Sequence, residues 1–254
     1  IHRYDVDCAI IFSDILVIPY LLNQEVSFIK GTGPNLQKLS LKELNTLDKS
    51  VLKAKNLENT YEAIRIVRSL LDRKKSLIGF CGAPWTVACY MIDGNSKNSF
   101  NASRNAINKE EEKLLILLDK IVALSIDHLA KQYESGCDTL MIFESWAGLV
   151  DNKNRESILY RPIEKIINGL RKRDINAPII VFPKGLGRNI IEYIANVSVD
   201  VLSIDYNIDL AWALENVNKD IILQGNLNPK TLLEGGTELE KQAIKIKNAV
   251  GKKK

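Results

Sequence analysis

The chain has 254 residues, of which 46% are hydrophobic and 26% are charged. This length and balance permit one large α/β domain and exclude a disordered chain. Lysine and arginine total 35 against 31 acidic residues, which gives a net charge of +4. Three of those positive charges belong to the terminal Lys252–Lys254. Because the remainder is nearly neutral, the composition argues against a nucleic-acid partner.

Targeting signals are not visible in the sequence. It has no secretory leader pattern and no run of about 18 uncharged apolar residues, so we expect no export and no membrane partner. The four cysteines form no CxxC pair and lie in or beside apolar runs, as reduced core cysteines of a cytoplasmic protein do. The chain begins at Ile1 and enters a strand almost at once. We therefore expect it to be an internal piece of a longer protein.

Short apolar runs rich in β-branched residues recur along the chain and predict six buried parallel strands. They are Val6–Phe12, Ser76–Phe80, Thr139–Phe143, Pro178–Phe182, Val201–Ile204 and Ile221–Leu223. Helical patterns lie at residues 59–74, 110–136, 155–172, 188–196, 209–218 and 239–250. Thr60 is the predicted N-cap of the first helix, and Gly136 is the predicted C-cap of the second. The polar stretch Asp93–Glu112 is predicted to be a long loop, either a binding lid or a solvated connection.

This alternation of strands and helices predicts a parallel sheet covered by helices. An open doubly wound sheet usually carries a glycine-rich phosphate turn after its first strand, whereas this chain continues with "SDILVIPYLLNQ". We therefore predict an α/β fold of the (β/α)8 TIM-barrel type, with residues 1–254 in a single domain.

Polar or glycine-rich residues follow every predicted strand. They are Ser13 and Asp14, "CGAPWT", Glu144 and Ser145, Lys184, Asp205 and Tyr206, and Gln224 and Asn226. Any one of these could simply cap a strand. In barrels, however, catalytic groups gather at the rim formed by the carboxyl ends of the strands. Asp14 in particular needs compensation, because a lone buried carboxylate is costly.

Metal and nucleophile chemistry has little support in the sequence. The histidines are His2 and His128, and the second lies midway along a predicted helix, where a surface or hydrogen-bonded core role is expected. Neither metal-ligand spacing nor a Ser-His-Asp order is visible. We predict no metal site.

Several motifs together resemble one family. The segments "AIIFSDILVIPYLL", "GTGP", "GFCGAPWTVACYMIDG", "FESWAG", "SIDYNIDLAWA" and "LQGNLNP" occur in the order found in uroporphyrinogen decarboxylases, and the resemblance covers essentially the whole chain. It implies a cytosolic (β/α)8 barrel that uses no cofactor and forms a homodimer at full length. Its small-molecule substrate would be uroporphyrinogen III, whose four acetate carboxylates are removed to give coproporphyrinogen III.

The resemblance also implies roles for four residues. Asp14 would accept hydrogen bonds from the pyrrole N–H groups and oppose the positive charge that develops when a pyrrole carbon is protonated. Tyr90 would lie beside the reacting acetate, so Asp14 and Tyr90 are the predicted catalytic residues. Ser145 would bind a substrate carboxylate, and Gly82 would shape the pocket wall through close backbone approach.

Two family segments have no counterpart in this sequence. One is an upstream arginine motif of the form RQAGRYLP, and the other is a downstream strand that ends in an active-site histidine. The resemblance therefore predicts a barrel without its first and last strands. Since an unclosed barrel exposes two sheet edges, we expect the 254 residues alone to be inactive and poorly soluble.

Two alternatives stay open at this point. Zinc-dependent corrinoid methyltransferases of the same superfamily carry a His-x-Cys pair where this chain reads "IIVFPKG", and no cysteine follows Cys137 here. A non-catalytic tetrapyrrole-binding homologue would keep the barrel without the activity. The presence of Asp14, Tyr90 and Ser145 argues against it, whereas the missing arginines leave it open.

Overall fold

The computed structural model describes residues 1, 3–12, 14–29, 33–47, 55 and 57–250. Its strands are β1 Cys8–Ile10, β2 Val26–Ile29, β3 Gly33–Leu36, β4 Ser76–Gly82, β5 Thr139–Glu144, β6 Ile179–Pro183, β7 Val201–Ser203 and β8 Ile222–Gln224. Its α-helices are α1 Val17–Leu21, α2 Glu58–Leu70, α3 Pro84–Asp93, α4 Asn101–Lys109, α5 Glu111–Glu134, α6 Arg161–Arg171, α7 Ile190–Asn196, α8 Leu210–Asn216, α9 Pro229–Glu234 and α10 Gly236–Val250. A π-helical turn at Glu156–Tyr160 leads into α6. His2, Ser13 and the first two residues of the "GTGP" motif, Gly31 and Thr32, lie outside the described residues.

Six strands form one parallel sheet in the order β1-β4-β5-β6-β7-β8, and β2 pairs with β3 as an antiparallel hairpin. Each strand run predicted from the sequence overlaps one of these six strands, so the α/β class and the parallel sheet are confirmed. Within the described residues, β1 and β8 lie at the two edges of this sheet.

Alternation along the central strands gives both faces of the sheet an apolar surface. Phe80, Met141 and Ile180 form a cluster on one face. Leu140 and Ile142 belong to the larger core, which the sheet shares with the helices. The central strands β4, β5 and β6 therefore bury apolar side chains on both faces, as expected in the middle of a parallel sheet.

The prediction of a loop over Asp93–Glu112 is wrong, because helix α4 occupies the second half of this stretch. The two carboxylate oxygens of Asp93 accept the backbone N–H groups of Ala102 at 3.1 Å and Ser103 at 2.9 Å. These bonds satisfy donors that the first turn of a helix leaves unpaired. Since the capping group comes from the end of α3, a local sequence pattern does not reveal it.

Two smaller predictions also need correction. Cys8 is exposed because β1 is an edge strand, although Cys81, Cys89 and Cys137 are buried as expected. Thr60 is not an N-cap, because α2 already begins at Glu58. The predicted C-terminal glycine of α5 is confirmed. Gly136 follows the helix end with a φ of 118°, and a Cβ atom there would lie 2.7 Å from the side chain of Arg68.

Helix α5 packs against the sheet and carries three buried polar side chains, of which His128 and Gln132 make hydrogen bonds to neighbouring elements. His128 is 1% exposed, and its Nδ1 shares a hydrogen bond of 3.0 Å with the Tyr61 hydroxyl, in agreement with the predicted core role. The Gln132 amide binds both backbone groups of Phe80, accepting its N–H and donating to its carbonyl at 2.9 Å each. No helix within the described ranges is long and apolar enough to cross a membrane.

Replacing Gln132 by leucine tests the link between α5 and the sheet. We predict that Gln132→Leu lowers the free energy of unfolding by about 2 kcal/mol or more, because two buried backbone groups lose their partners. Urea denaturation measures this change. The control is Gln37→Ala at an exposed position, which should leave the stability nearly unchanged. Equal stability of the two variants would contradict the prediction.

His128 also predicts a pH dependence of stability. Burial lowers the pKa of its imidazole from 6.5 to about 4. Between these values the unfolded chain binds a proton that the folded chain does not, so stability is lost as the pH falls from 6.5 to 4. We expect the wild type to lose stability relative to His128→Gln over this window, by at most about 1.4 kcal/mol per pH unit. A difference that stays constant with pH would rule this out.

Candidate active site

The parallel pairing places the carboxyl ends of all six strands along one edge of the sheet. Gly82 lies beside Phe143, Glu144 beside Pro183, and Ser203 beside Gln224. The polar segments that follow the strands therefore share this edge, as predicted. Ligand sites of α/β sheets form at such edges.

Asp14 lies just beyond β1 at the entrance to α1 and is half-buried. Its Oδ1 accepts the backbone N–H of Leu16 at 2.8 Å, and its backbone carbonyl accepts the N–H of Val17 at 3.2 Å. Burial raises the pKa of the carboxyl, and the Leu16 hydrogen bond partly opposes this. Asp14 forms no ion pair with any described residue. Its carboxylate thus has unused capacity to accept hydrogen bonds from a ligand.

Gly82 supports the backbone next to Asp14. A Cβ atom at position 82 would lie 2.8 Å from Cγ2 of Val87 and 3.0 Å from Cβ of Ile15. The missing side chain therefore lets the end of β4 approach the residue that follows Asp14. A contact between Gly82 and substrate stays a prediction.

Tyr90 lies on α3, half-buried, with its ring edge-on to Phe100 at 5.1 Å between centroids. Phe100 in turn packs against Trp146 at 4.8 Å. Burial raises the pKa of the Tyr90 phenol, the nearby indole of Trp146 partly lowers it, and the negative charge of Asp14 raises it further. The fold thus brings the two predicted catalytic residues within electrostatic reach of each other.

Ser145 is the first residue after β5 and is half-buried. Its hydroxyl forms no hydrogen bond with a described residue.

Trp146, the next residue, is held against α3 by two hydrogen bonds. Its carbonyl accepts the indole N–H of Trp85 at 3.1 Å, and its N–H donates to the Thr86 hydroxyl at 3.3 Å.

Glu144, the last residue of β5, is fully buried. The hydroxyl of Thr86 donates a short hydrogen bond to its Oε1. Burial raises the pKa of this carboxyl to about 8, although hydrogen bonds from Thr86 and Trp146 act in the opposite direction. At neutral pH Glu144 is therefore a neutral acid behind the rim.

The sequence reasoning missed Thr86, Phe100 and Trp146 as neighbours of the predicted residues. One signal was available for Thr86, which precedes Tyr90 by four residues in "WTVACY". Once this segment is known to be helical, that spacing puts both side chains on one face. The positions of Phe100 and Trp146 depend on tertiary packing.

The part of the rim formed by the ends of β6, β7 and β8 contains none of the four predicted site residues. Asp205 is buried and accepts the backbone N–H groups of Gly185 and Asn207 at 3.0 Å each, so it ties two rim loops together. Lys184 is exposed. A cavity of about 550 Å³ lies beside Tyr206, between α8 and α10. None of the four predicted site residues lines it.

Metal-ligating side chains are not clustered in the described residues. No three His, Cys, Asp or Glu side chains in this part of the chain are placed to hold a metal ion together.

Comparison with known proteins identifies relatives over nearly the full chain. A protein-family model described as uroporphyrinogen decarboxylase (URO-D) matches residues 1–254. The uroporphyrinogen decarboxylase of Orientia tsutsugamushi strain Ikeda is 40% identical over 249 residues, which cover 97% of this chain and 71% of that protein. The uroporphyrinogen decarboxylase of Chelativorans sp. strain BNC1 is 38% identical over 251 residues, covering 99% of this chain and 73% of that protein.

Among solved structures, a methyltransferase from Methanosarcina mazei matches with a TM-score of 0.76 at 20% identity, over 91% of this chain and 68% of that one. At this identity the similarity concerns the fold alone. The family match over residues 1–254 and the two sequence relatives show that the chain belongs to the uroporphyrinogen decarboxylase family.

Proposed function

We propose that this protein is a uroporphyrinogen decarboxylase, a carboxy-lyase that converts the four acetate side chains of uroporphyrinogen III into methyl groups and releases coproporphyrinogen III. The observation that carries this function is the half-buried carboxylate of Asp14 at the strand-end rim, without a cationic partner among the described residues and within reach of Tyr90. Family membership supplies the substrate class.

Each decarboxylation releases one CO2 and takes up one proton. In the proposed route a pyrrole ring carbon is first protonated, and the electrons of the breaking carbon–carboxylate bond flow into the ring. The resulting exocyclic methylene then accepts a proton to become a methyl group, and the ring gives up the proton it gained. The ring itself is the electron sink, so the route uses no cofactor.

Asp14 stabilises this route by its charge. The protonated pyrrole is positive, and an ionised carboxylate held at the rim favours the state in which that charge develops. Pyrrole N–H groups that donate to Asp14 would also favour its ionised form and offset the effect of burial on its pKa. The substrate thus supplies the compensation that the sequence leaves open.

Tyr90 and Ser145 act on the substrate carboxylates. Both side chains are half-buried on segments that meet at the same rim, and a hydroxyl can donate a hydrogen bond to a carboxylate oxygen. In the proposed arrangement Tyr90 lies beside the reacting acetate, and Ser145 holds a neighbouring carboxylate.

The finer architecture is part of the same proposal. The order of the parallel sheet, with β1 and β8 at its edges, supports a (β/α)8 barrel in which residues 1–254 belong to one domain. The family resemblance supports a cytoplasmic homodimer of the full-length gene product. The family match favours decarboxylation over the corrinoid methyltransferase and the non-catalytic binding homologue.

Replacing Asp14 tests the function directly. With the full-length gene product and uroporphyrinogen III under anaerobic conditions, we expect stepwise seven-, six-, five- and four-carboxylate products. Asp14→Asn should lower turnover by about 10²-fold or more, because a neutral amide does not oppose the developing positive charge. Chromatography of the oxidised products measures the loss.

The matched control is Asp5→Asn, at the other end of β1, where the side chain is 93% exposed and paired with Lys75. Its turnover should stay at the wild-type level. Full turnover by Asp14→Asn would disprove the proposed role of the charge. Wild-type protein that binds substrate without releasing CO2 would indicate a binding homologue, and absence of binding would point to the methyltransferases.

Replacing Gly82 tests the packing beside Asp14. The added methyl group of Gly82→Ala forces Val87 and Ile15 to shift, so we expect a lower melting temperature and lower turnover. Gly169→Ala adds a methyl group on α6 whose three nearest heavy atoms all belong to the side chain of Ile126, and it should keep its turnover. Unchanged turnover in Gly82→Ala would show that the close approach is not required.

A further inference from the structure

A buried hydrogen-bond chain joins the two rim segments that carry the proposed carboxylate-binding hydroxyls. We propose that Glu144 is a positioning residue that, through Thr86 and Trp146, fixes Tyr90 and Ser145 relative to each other. This inference rests on the proposed function and assigns Glu144 no contact with substrate.

The Thr86 hydroxyl is the centre of this chain. It donates to Oε1 of Glu144 and accepts the backbone N–H of Trp146 at 3.3 Å. Thr86 lies one helical turn before Tyr90 on α3, and Glu144 and Trp146 flank Ser145. One hydroxyl group therefore sets the distance between the helix that carries Tyr90 and the strand end that carries Ser145.

Other contacts hold the same two segments together. The indole of Trp85 donates to the carbonyl of Trp146 at 3.1 Å, and the N–H of Ala83 donates to the carbonyl of Phe143 at 3.0 Å. Aromatic rings also line the junction, where the Phe100 ring lies edge-on to Tyr90 and tilted against Trp146. Glu144 is the carboxyl group of the hydrogen-bond chain in this junction.

Trp146 also affects Tyr90. Its buried indole Nε1 has no hydrogen-bond partner among the described residues, yet it lies near enough to lower the pKa of Tyr90. An indole N–H can only donate.

The protonated, uncharged form of Glu144 suits its position behind the hydroxyl groups of Tyr90 and Ser145. Oε2 of Glu144 is buried without a partner in the described structure, and burial raises the pKa of the carboxyl to about 8. An ionised Glu144 would place a negative charge directly behind hydroxyl groups that must bind carboxylates. Substrate binding should therefore weaken as the pH rises through 8.

Neighbouring titratable groups do not account for such a change. The groups whose pKa responds to the charge of Glu144 are Cys81 on β4, Cys89 on α3 and Tyr193 on α7. Burial raises the pKa of Cys81 to about 12 and raises those of Cys89 and Tyr193 well above their ordinary values. All three stay uncharged near pH 8, so among these four groups only Glu144 changes its charge there.

Steady-state kinetics of the full-length gene product with uroporphyrinogen III, from pH 6.5 to 9, test the proposal. Glu144→Leu should lower kcat/KM at pH 7 by about tenfold to a hundredfold, because the Thr86 hydroxyl loses its acceptor. Glu144→Gln keeps an acceptor for Thr86 and stays neutral at every pH. It should rescue most of this loss and remove the rise of KM above pH 8.

Thr86→Val tests the same hydrogen bond by removing its donor. It should reproduce the loss seen in Glu144→Leu, and the double variant should be no worse than either single variant, because both break the same link. Asp93→Asn is the matched control, since Asp93 is a second buried carboxyl, at the end of α3, whose partners are the backbone N–H groups of Ala102 and Ser103 and the Ser103 hydroxyl. It should lower the melting temperature without altering the alkaline rise of KM.

Three results would overturn the positioning role. They are wild-type kinetics in folded Glu144→Leu, losses that multiply in the double variant, and an alkaline rise of KM that persists in Glu144→Gln. An inactive wild type would instead defeat the proposed function. The same variants then test the link through unfolding free energies, where coupling between Thr86 and Glu144 is expected and simple additivity would overturn it.

Discussion

The parallel pairing of β4 with β5 is the constraint on which the rest of the site depends. Because the two strands run in the same direction and in this register, Gly82 ends beside Phe143, and α3 leaves β4 next to the loop that leaves β5. Side chains alternate between the two faces of a strand, so a slip of one residue in β5 would turn Glu144 away from Thr86. The same slip would drive Phe143 out of its cluster with Phe80. Apolar packing and rim chemistry thus specify one register.

Two carboxyl groups at this rim have different environments and different uses. Asp14 is half-buried and accepts one hydrogen bond from its own turn, so it remains open to donors on a ligand. Glu144 is fully buried against Thr86, and its pKa of about 8 keeps it neutral at physiological pH. Environments that differ in this way give two carboxyl groups different pKa values and suit them to different roles. In the proposed function Asp14 supplies the charge that the chemistry uses, and in the proposed positioning role Glu144 supplies uncharged support.

The sequence predicted the sheet well, because each buried strand is a short β-branched run bounded by polar or glycine-rich residues. The helices were less accessible. Helix α3 is almost entirely buried, so it shows no amphipathic period, and α1 spans only five residues. The hairpin of β2 and β3 lacks a strong alternating pattern. Helix α4 depends on Asp93, whose carboxylate reaches across from the end of α3.

The candidate site, like the fold, was only partly predictable from the sequence. Motif resemblance was enough to select Asp14, Tyr90, Ser145 and Gly82, because each lies in a short recognisable segment. The support behind them was not predictable, since Thr86 and Glu144 are 58 residues apart and meet only after the strands pair. A pKa shift caused by burial likewise requires the packed structure, because the same glutamate in a flexible chain would ionise normally.

The most direct measurement is a crystal structure of the full-length gene product with coproporphyrinogen bound under anaerobic conditions. The account predicts the tetrapyrrole at the strand-end rim, with the Asp14 carboxylate within hydrogen-bond distance of the pyrrole nitrogens. The Tyr90 and Ser145 hydroxyls should face peripheral carboxylates. A tetrapyrrole bound instead in the cavity beside Tyr206, without contact to Asp14, would contradict it.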